Sequence, residues 1–113
     1  MKSVIKYFYM KGENIKNKMD FYTQMDSFFN FNEYVDGAAG VPSLDVLWDV
    51  MTCGAGLNCE LHWKDSDVSK VNLGDDYFYK IIDTLREVEE YQENLCVKYR
   101  QFKDDEPFKF FLE

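Results

Sequence analysis

The chain has 113 residues, 46% hydrophobic and 18% aromatic, which suits one domain with a single apolar core. Its formal net charge of −8 argues against nucleic acid or an anionic membrane as a direct partner, because both would repel it. No apolar run is long enough to span a membrane, and residues 1–10 lack the apolar core of a signal peptide. Three cysteines, an odd number without metal-ligand spacing, favour reduced thiols, so we expect a cytoplasmic protein.

The N-terminal part predicts a strand followed by a helix. Residues 2–10 are rich in β-branched and aromatic side chains, and a turn follows at 11–13. Asn17 is a candidate helix N-cap, and the apolar residues after it recur at helical spacing: Phe21, Met25, Phe28 and Phe29. Residues 30–42, which contain two glycines, are predicted to form a loop.

A short helix from Ser43 to Thr52 combines apolar and acidic residues. At about 100° per residue, its apolar side chains share one broad face: Leu44, Val46, Leu47, Trp48, Val50 and Met51. The remaining narrow strip carries Asp45, Asp49 and Thr52, and no Lys or Arg occurs between residues 41 and 55. A solvated helix face is the simpler interpretation. The alternative is that the cations facing these carboxylates belong to a partner.

The C-terminal half predicts two more strands and a long helix. Residues 57–63 alternate apolar and polar side chains as a strand does, which makes His62 a strand residue rather than a metal ligand. Residues 66–71 predict a short helical turn, and a strong helix begins at Asp75, with Phe78, Ile81, Ile82, Leu85 and Val88 at helical spacing. The third strand is predicted at residues 95–99.

The order of these elements predicts a two-layer α/β domain. Long helical crossovers between strands imply parallel pairing with right-handed connections, and a sheet of three strands has its helices on one face. Residues 1–102 are assigned to this domain and residues 103–113 to a C-terminal extension. The phenylalanines of the extension either cover a sheet edge or mark a dimer contact, and we favour the first.

Several motifs together resemble the barstar family, whose members inhibit barnase-type ribonucleases inside the cell. The central motif is LDVLWD at residues 44–49, preceded by Glu33-Tyr34 and followed by ELHW at residues 60–63. Residues 4–5, 12–15, 20–21, 31–34 and 85–87 also fall in register, so the resemblance covers about residues 2–102. It implies a parallel sheet of order 1-2-3 covered by about four helices.

The resemblance also implies roles for individual residues, because the family plugs a ribonuclease active site with an acidic helix and the loop before it. Asp49 would enter the phosphate-binding pocket, and Asp45 would pair with an arginine at its rim. Glu87 would reach a basic side chain from the neighbouring helix. Tyr34 would stack on the enzyme's histidine, and Thr52 would lie at the edge of the contact.

Trp48 is assigned to the same partner-binding surface, with a core anchor for the helix as the alternative interpretation. Two departures from the family pattern concern the partner's identity. Residues 35–43 are longer than the family's loop by about four residues, and Gly54 stands where a tryptophan is common.

The predicted function is therefore a stoichiometric inhibitor of the immunity or antitoxin type. Its partner would be a basic barnase-like ribonuclease or toxin domain, bound 1:1 by a monomer, with no catalytic residue, cofactor or metal in the inhibitor. One alternative is a barstar-fold binding module for a different basic partner. A second is a small enzyme that holds Mg²⁺ with Asp45 and Asp49, although two carboxylates are few for such a site.

Overall fold

Three parallel strands form one sheet in the order β1-β2-β3. The computed structural model describes residues 4–31 and 43–113. The strands are β1 (Lys6–Lys11), β2 (Cys59–Lys64) and β3 (Lys109–Leu112). Within the described residues four α-helices occur: α1 (Lys18–Phe29), α2 (Leu44–Val50), α3 (Ser66–Leu73) and α4 (Asp75–Lys98). This arrangement confirms the predicted α/β architecture.

One face of the sheet packs against the helices and forms the core. Met10, Leu61 and Trp63 point to this face and are fully buried, and Trp63 stacks on Phe21 of α1. The alternation predicted for β2 is confirmed, because Cys59, Leu61 and Trp63 are buried while their neighbours are more exposed. None of the helices in the described part of the chain is long and apolar enough to cross a membrane.

The third strand lies elsewhere than predicted. Residues 95–98 belong to α4, and Val97 is 86% exposed. The alternation at 95–99 is too short to distinguish a strand from the end of an amphipathic helix. Residues 103–113, expected to be an extension, instead supply β3, in which Phe110 lies opposite Leu61.

Local signals place the helix starts correctly. The Asn17 side chain accepts a hydrogen bond from the Asp20 amide at 2.9 Å, which confirms the predicted N-cap of α1.

The region after β2 forms a full helix, α3, rather than a short turn. It is held by Ser69, whose hydroxyl accepts from Trp63 Nε1 and donates to the Gly12 carbonyl. Only glycine fits at residue 12, because an added Cβ would lie 1.8 Å from the Asp65 carbonyl oxygen.

The three cysteines are unpaired and differ in exposure, which predicts an order of reactivity. Cys53 is exposed and Cys96 half-buried, whereas Cys59 is buried and its pKa is raised by that burial to about 11. A thiol reagent should modify Cys53 first and Cys59 only on unfolding, and all three should react in denaturant without prior reduction. Mass spectrometry of the labelled chain measures this order. A stoichiometric disulfide in freshly lysed cells would contradict the prediction of reduced thiols.

Candidate functional site

Helix α2 presents two carboxylates to solvent because its other sides are apolar. Ser43 caps the helix by accepting a hydrogen bond from the Val46 amide at 3.1 Å. Leu47 and Val50 are fully buried in the core, as the spacing predicted. Asp45 and Asp49 are both exposed and lie one turn apart. The local fold therefore anchors the helix firmly and leaves its acidic strip outside.

The two aspartates line a shallow groove between α2 and α4. Its volume is about 280 Å³, and it is lined by Leu44, Asp45, Trp48, Asp49, Thr84 and Glu87. Three carboxylates from two helices thus converge on one opening. Between the residues that the structure describes, no ion pair joins any of these three to a Lys or Arg. The groove is an unneutralised acidic surface of the kind that attracts a cationic group.

Trp48 and Thr52 both make contacts within the protein. Trp48 is half-buried and packs edge-on against Tyr91, with 5.4 Å between the ring centroids, while one side lines the groove. The packing on Tyr91 agrees with the core-anchor interpretation, and a role of Trp48 in partner binding stays a prediction. The Thr52 hydroxyl donates to the Trp48 carbonyl at 2.7 Å, so it braces the end of the helix. Thr52 does not line the groove.

A tyrosine pair links α1 to α4 close to Asp45. The hydroxyls of Tyr22 and Tyr77 share a hydrogen bond, and the Lys18 ammonium lies 4.3 Å from the centre of the Tyr77 ring. Burial raises the pKa of Tyr22 far above its usual range, and the hydrogen bond with Tyr77 and the charge of Asp45 act in the same direction. Tyr22 therefore stays neutral beside the acidic strip and adds no charge of its own.

Comparison with known proteins identifies the family. The family model described as "Barstar (barnase inhibitor)" matches residues 5–113. The chain belongs to the barstar family. A search of curated proteins gives no match. The family match includes β3 as well as the acidic helix, and its description is that of an inhibitor of barnase.

Gln92 is a buried polar residue that the sequence analysis did not single out. Its side chain is fully buried, donates through Nε2 to the Met51 carbonyl at 2.6 Å and accepts at Oε1 from the Phe108 amide at 2.8 Å. It therefore joins the end of the acidic helix to the start of β3. The available signal was its spacing, because Gln92 follows Leu85 and Val88 on the apolar face of α4.

The segment after α2 turns sharply and brings Met51 to Gln92. Met51–Ala55 forms a single π-helical turn, within which Gly54 adopts a positive φ of 121°. Helix α2 itself ends at Val50, two residues before the predicted end at Thr52. A residue with a Cβ rarely adopts this φ, so a glycine suits position 54.

Of the predicted site residues, the structure brings together Asp45, Trp48, Asp49 and Glu87, and it adds Leu44 and Thr84. Tyr34 and the loop of residues 32–42 lie outside the described residues. In the described ranges no group of three or more His, Cys, Asp or Glu side chains could hold a metal ion.

Proposed function

We propose that this barstar-family chain is an intracellular stoichiometric inhibitor that plugs the active site of a basic, barnase-type ribonuclease or toxin domain. The observation that carries the proposal is the convergence of Asp45, Asp49 and Glu87 on one exposed groove, without a pairing cation among the described residues. In this role α2 inserts into the enzyme. Glu87 on α4 makes a second contact beside it.

The chemistry of the target explains why carboxylates suit this role. An enzyme that cleaves phosphodiesters surrounds the anionic transition state with arginine, lysine or histidine. A carboxylate accepts the same charge-assisted hydrogen bonds as a phosphate, including bidentate bonds from arginine. Asp49 lies in the last turn of α2 and is assigned to the phosphate-binding pocket. Asp45 and Glu87 are assigned to cations at its rim.

Calorimetric titration into a guanyl-specific, barnase-like ribonuclease tests the proposal. We expect one enzyme bound per chain, with loss of ribonuclease activity at the same molar ratio. Saturating the enzyme with inorganic phosphate should weaken the binding, because the phosphate occupies the pocket assigned to Asp49. Absence of both binding and inhibition would contradict this target. Binding that phosphate does not affect would contradict the assigned site.

Association with such an enzyme should depend strongly on salt. Opposite net charges steer the two proteins together, and ions screen this attraction over about 8 Å at physiological ionic strength. Stopped-flow measurements should show the association rate constant falling by tenfold or more, on the order of typical steering effects, as salt is raised. The dissociation rate constant should change less. An association rate constant that does not change with salt concentration would show that the acidic groove does not guide the encounter.

A second candidate is a barstar-fold inhibitor of a basic protein that is not a ribonuclease. Gly54, in place of the common tryptophan, and the longer loop before α2 favour a partner surface different from that of barnase. This candidate predicts salt-dependent binding to a basic toxin domain that inorganic phosphate does not displace. The phosphate competition therefore distinguishes the two functions.

A further inference from the structure

The sheet face opposite the core carries an ordered grid of side chains. Strand register aligns three rows across β1, β2 and β3, and Glu113 continues β3 through a hydrogen bond from its amide to the Trp63 carbonyl. No described helix covers this face, which we call the open face. Its rows are Tyr7–Glu60–Lys109, Tyr9–His62–Phe111 and Lys11–Lys64–Glu113.

The middle row of the open face is a continuous aromatic strip. The His62 ring stacks on Tyr9, with 5.3 Å between centroids, and on Phe111, with 5.0 Å. Tyr9 is 59% exposed and Phe111 41% exposed. Single exposed aromatic residues are common on protein surfaces, but a contiguous exposed strip across a whole sheet is typical of a contact surface.

The charges of the open face differ from those of the chain as a whole. The face carries three lysines, at residues 11, 64 and 109, against the two carboxylates of Glu60 and Glu113, so its formal charge is +1. The whole chain carries −8. Two copies of the chain therefore repel each other least when they approach through their open faces.

We propose that the open face binds a second copy of this chain in a face-to-face dimer. The two-fold axis lies between the two open faces, parallel to the sheets and perpendicular to the strands. It places each strand over the same strand of the partner and reverses the order of the rows. Glu60 then lies over the partner's Lys64 and Lys109 over the partner's Glu113. Lys11 meets the ring of the partner's Tyr7 in a cation–π contact, and the aromatic strips face each other.

The charge pattern favours this axis over a two-fold axis that runs parallel to the strands. An axis parallel to the strands would place Glu60 over the partner's Glu60 and Lys64 over the partner's Lys64, which are like charges in contact. The selected axis instead sets every charged side chain of the face against an opposite charge or an aromatic ring. It is compatible with the packing of two twisted sheets about 10 Å apart.

The size of the face predicts a weak dimer. With about 3.3 Å per residue and about 4.8 Å between strands, the grid measures roughly 13 by 10 Å, which is small for a protein interface. Helices α2 and α4 pack on the other side of the sheet, so the groove of each copy stays accessible. The dimer does not rest on the proposed function, and it is the alternative to the monomer that the sequence analysis predicts.

A charge-exchange experiment tests the dimer. Sedimentation equilibrium of the wild-type chain, from micromolar to near-millimolar concentration, should show reversible association. Glu60→Lys and Lys64→Glu should each weaken dimerisation by at least about tenfold, because each creates two like-charge contacts across the axis. An equimolar mixture of the two variants should associate again, because in the mixed dimer position 60 of each chain faces an opposite charge at position 64 of the other.

Matched controls separate this interface from general charge effects. Glu90→Lys and Lys80→Glu make the same charge changes at exposed positions of α4 and should leave dimerisation unchanged. Thermal unfolding checks that each variant is folded. If the Lys64→Glu variant does not fold, a mixture of Lys109→Glu and Glu113→Lys repeats the test on the second charge pair. A wild type that stays monomeric overturns the proposal, as does a mixture that associates no better than its components.

Discussion

Asp49→Ala should abolish most of the affinity for the cognate ribonuclease while leaving the fold intact. Truncating one partner of a buried, hydrogen-bonded charge pair costs about 2–5 kcal/mol of binding free energy, because the enzyme's cations stay desolvated without a counter-charge. In the free protein Asp49 is exposed and forms no ion pair with another described residue. Removing it also relieves the repulsion from Asp45 one turn away, about 0.2–0.5 kcal/mol.

Calorimetric titration and thermal unfolding of the same Asp49→Ala preparation measure the two effects. Asp67→Ala is a matched control, because Asp67 is also exposed on a helix but lies outside the groove. It should retain full binding. Asp45→Ala and Glu87→Ala should each cost less than Asp49→Ala, since pairs at a hydrated rim contribute little. If Asp49→Ala binds within about 1 kcal/mol of wild type, residues 35–43 become the better candidate contact.

Gln92→Leu should be among the most destabilising substitutions in the chain. Leucine fills a similar volume but leaves the Phe108 amide buried without a partner, while the Met51 carbonyl keeps only its hydrogen bond from the Gly56 amide. The unsatisfied amide costs about 1–3 kcal/mol and the lost bond to Met51 about 0.5–1.5 kcal/mol, so we expect the free energy of unfolding to fall by about 2–4 kcal/mol. Urea denaturation followed by circular dichroism measures this loss. Gln101→Leu, at an exposed position, should change stability by less than about 0.5 kcal/mol.

Gln92→Glu should make stability depend on pH in a defined direction. A protonated glutamic acid can still donate to Met51 and accept from Phe108, whereas the carboxylate loses the donor and carries a buried charge. Burial therefore raises the folded-state pKa of the introduced carboxyl above its unfolded value of about 4.3. The stability relative to wild type is highest below that value and falls as the pH rises toward the folded pKa. A variant equally stable at acidic and neutral pH would contradict the donor role.

The strongest sequence predictions are those that depend on local periodicity. The acidic strip of α2, the Asn17 cap and the buried face of α4 each follow from spacing within one element, and the structure confirms them. Local geometry orients these side chains wherever the element packs. For the same reason, helical spacing alone predicts that Asp45 and Asp49 are exposed.

The position of β3 depended on contacts that are distant in the chain. The strand is defined by pairing with β2, some 50 residues earlier, and by side chains of α4: Gln92 accepts from the Phe108 amide and Glu89 from the Phe110 amide. The pattern at residues 95–99 has no such partners. Sequence spacing alone predicted a strand there because a short alternation also fits the end of an amphipathic helix.

The shape of the acidic groove and the grid on the open face are likewise tertiary properties. Thr84 lines the groove because α2 packs beside α4, and Glu113 reaches His62 because β3 runs parallel to β2. The sequence alone therefore determined which residues of each helix and strand face solvent, and which of them carry charge. Only the packing of elements decided which of those charges share a surface, because side chains that meet across a sheet or between helices have no fixed separation along the chain.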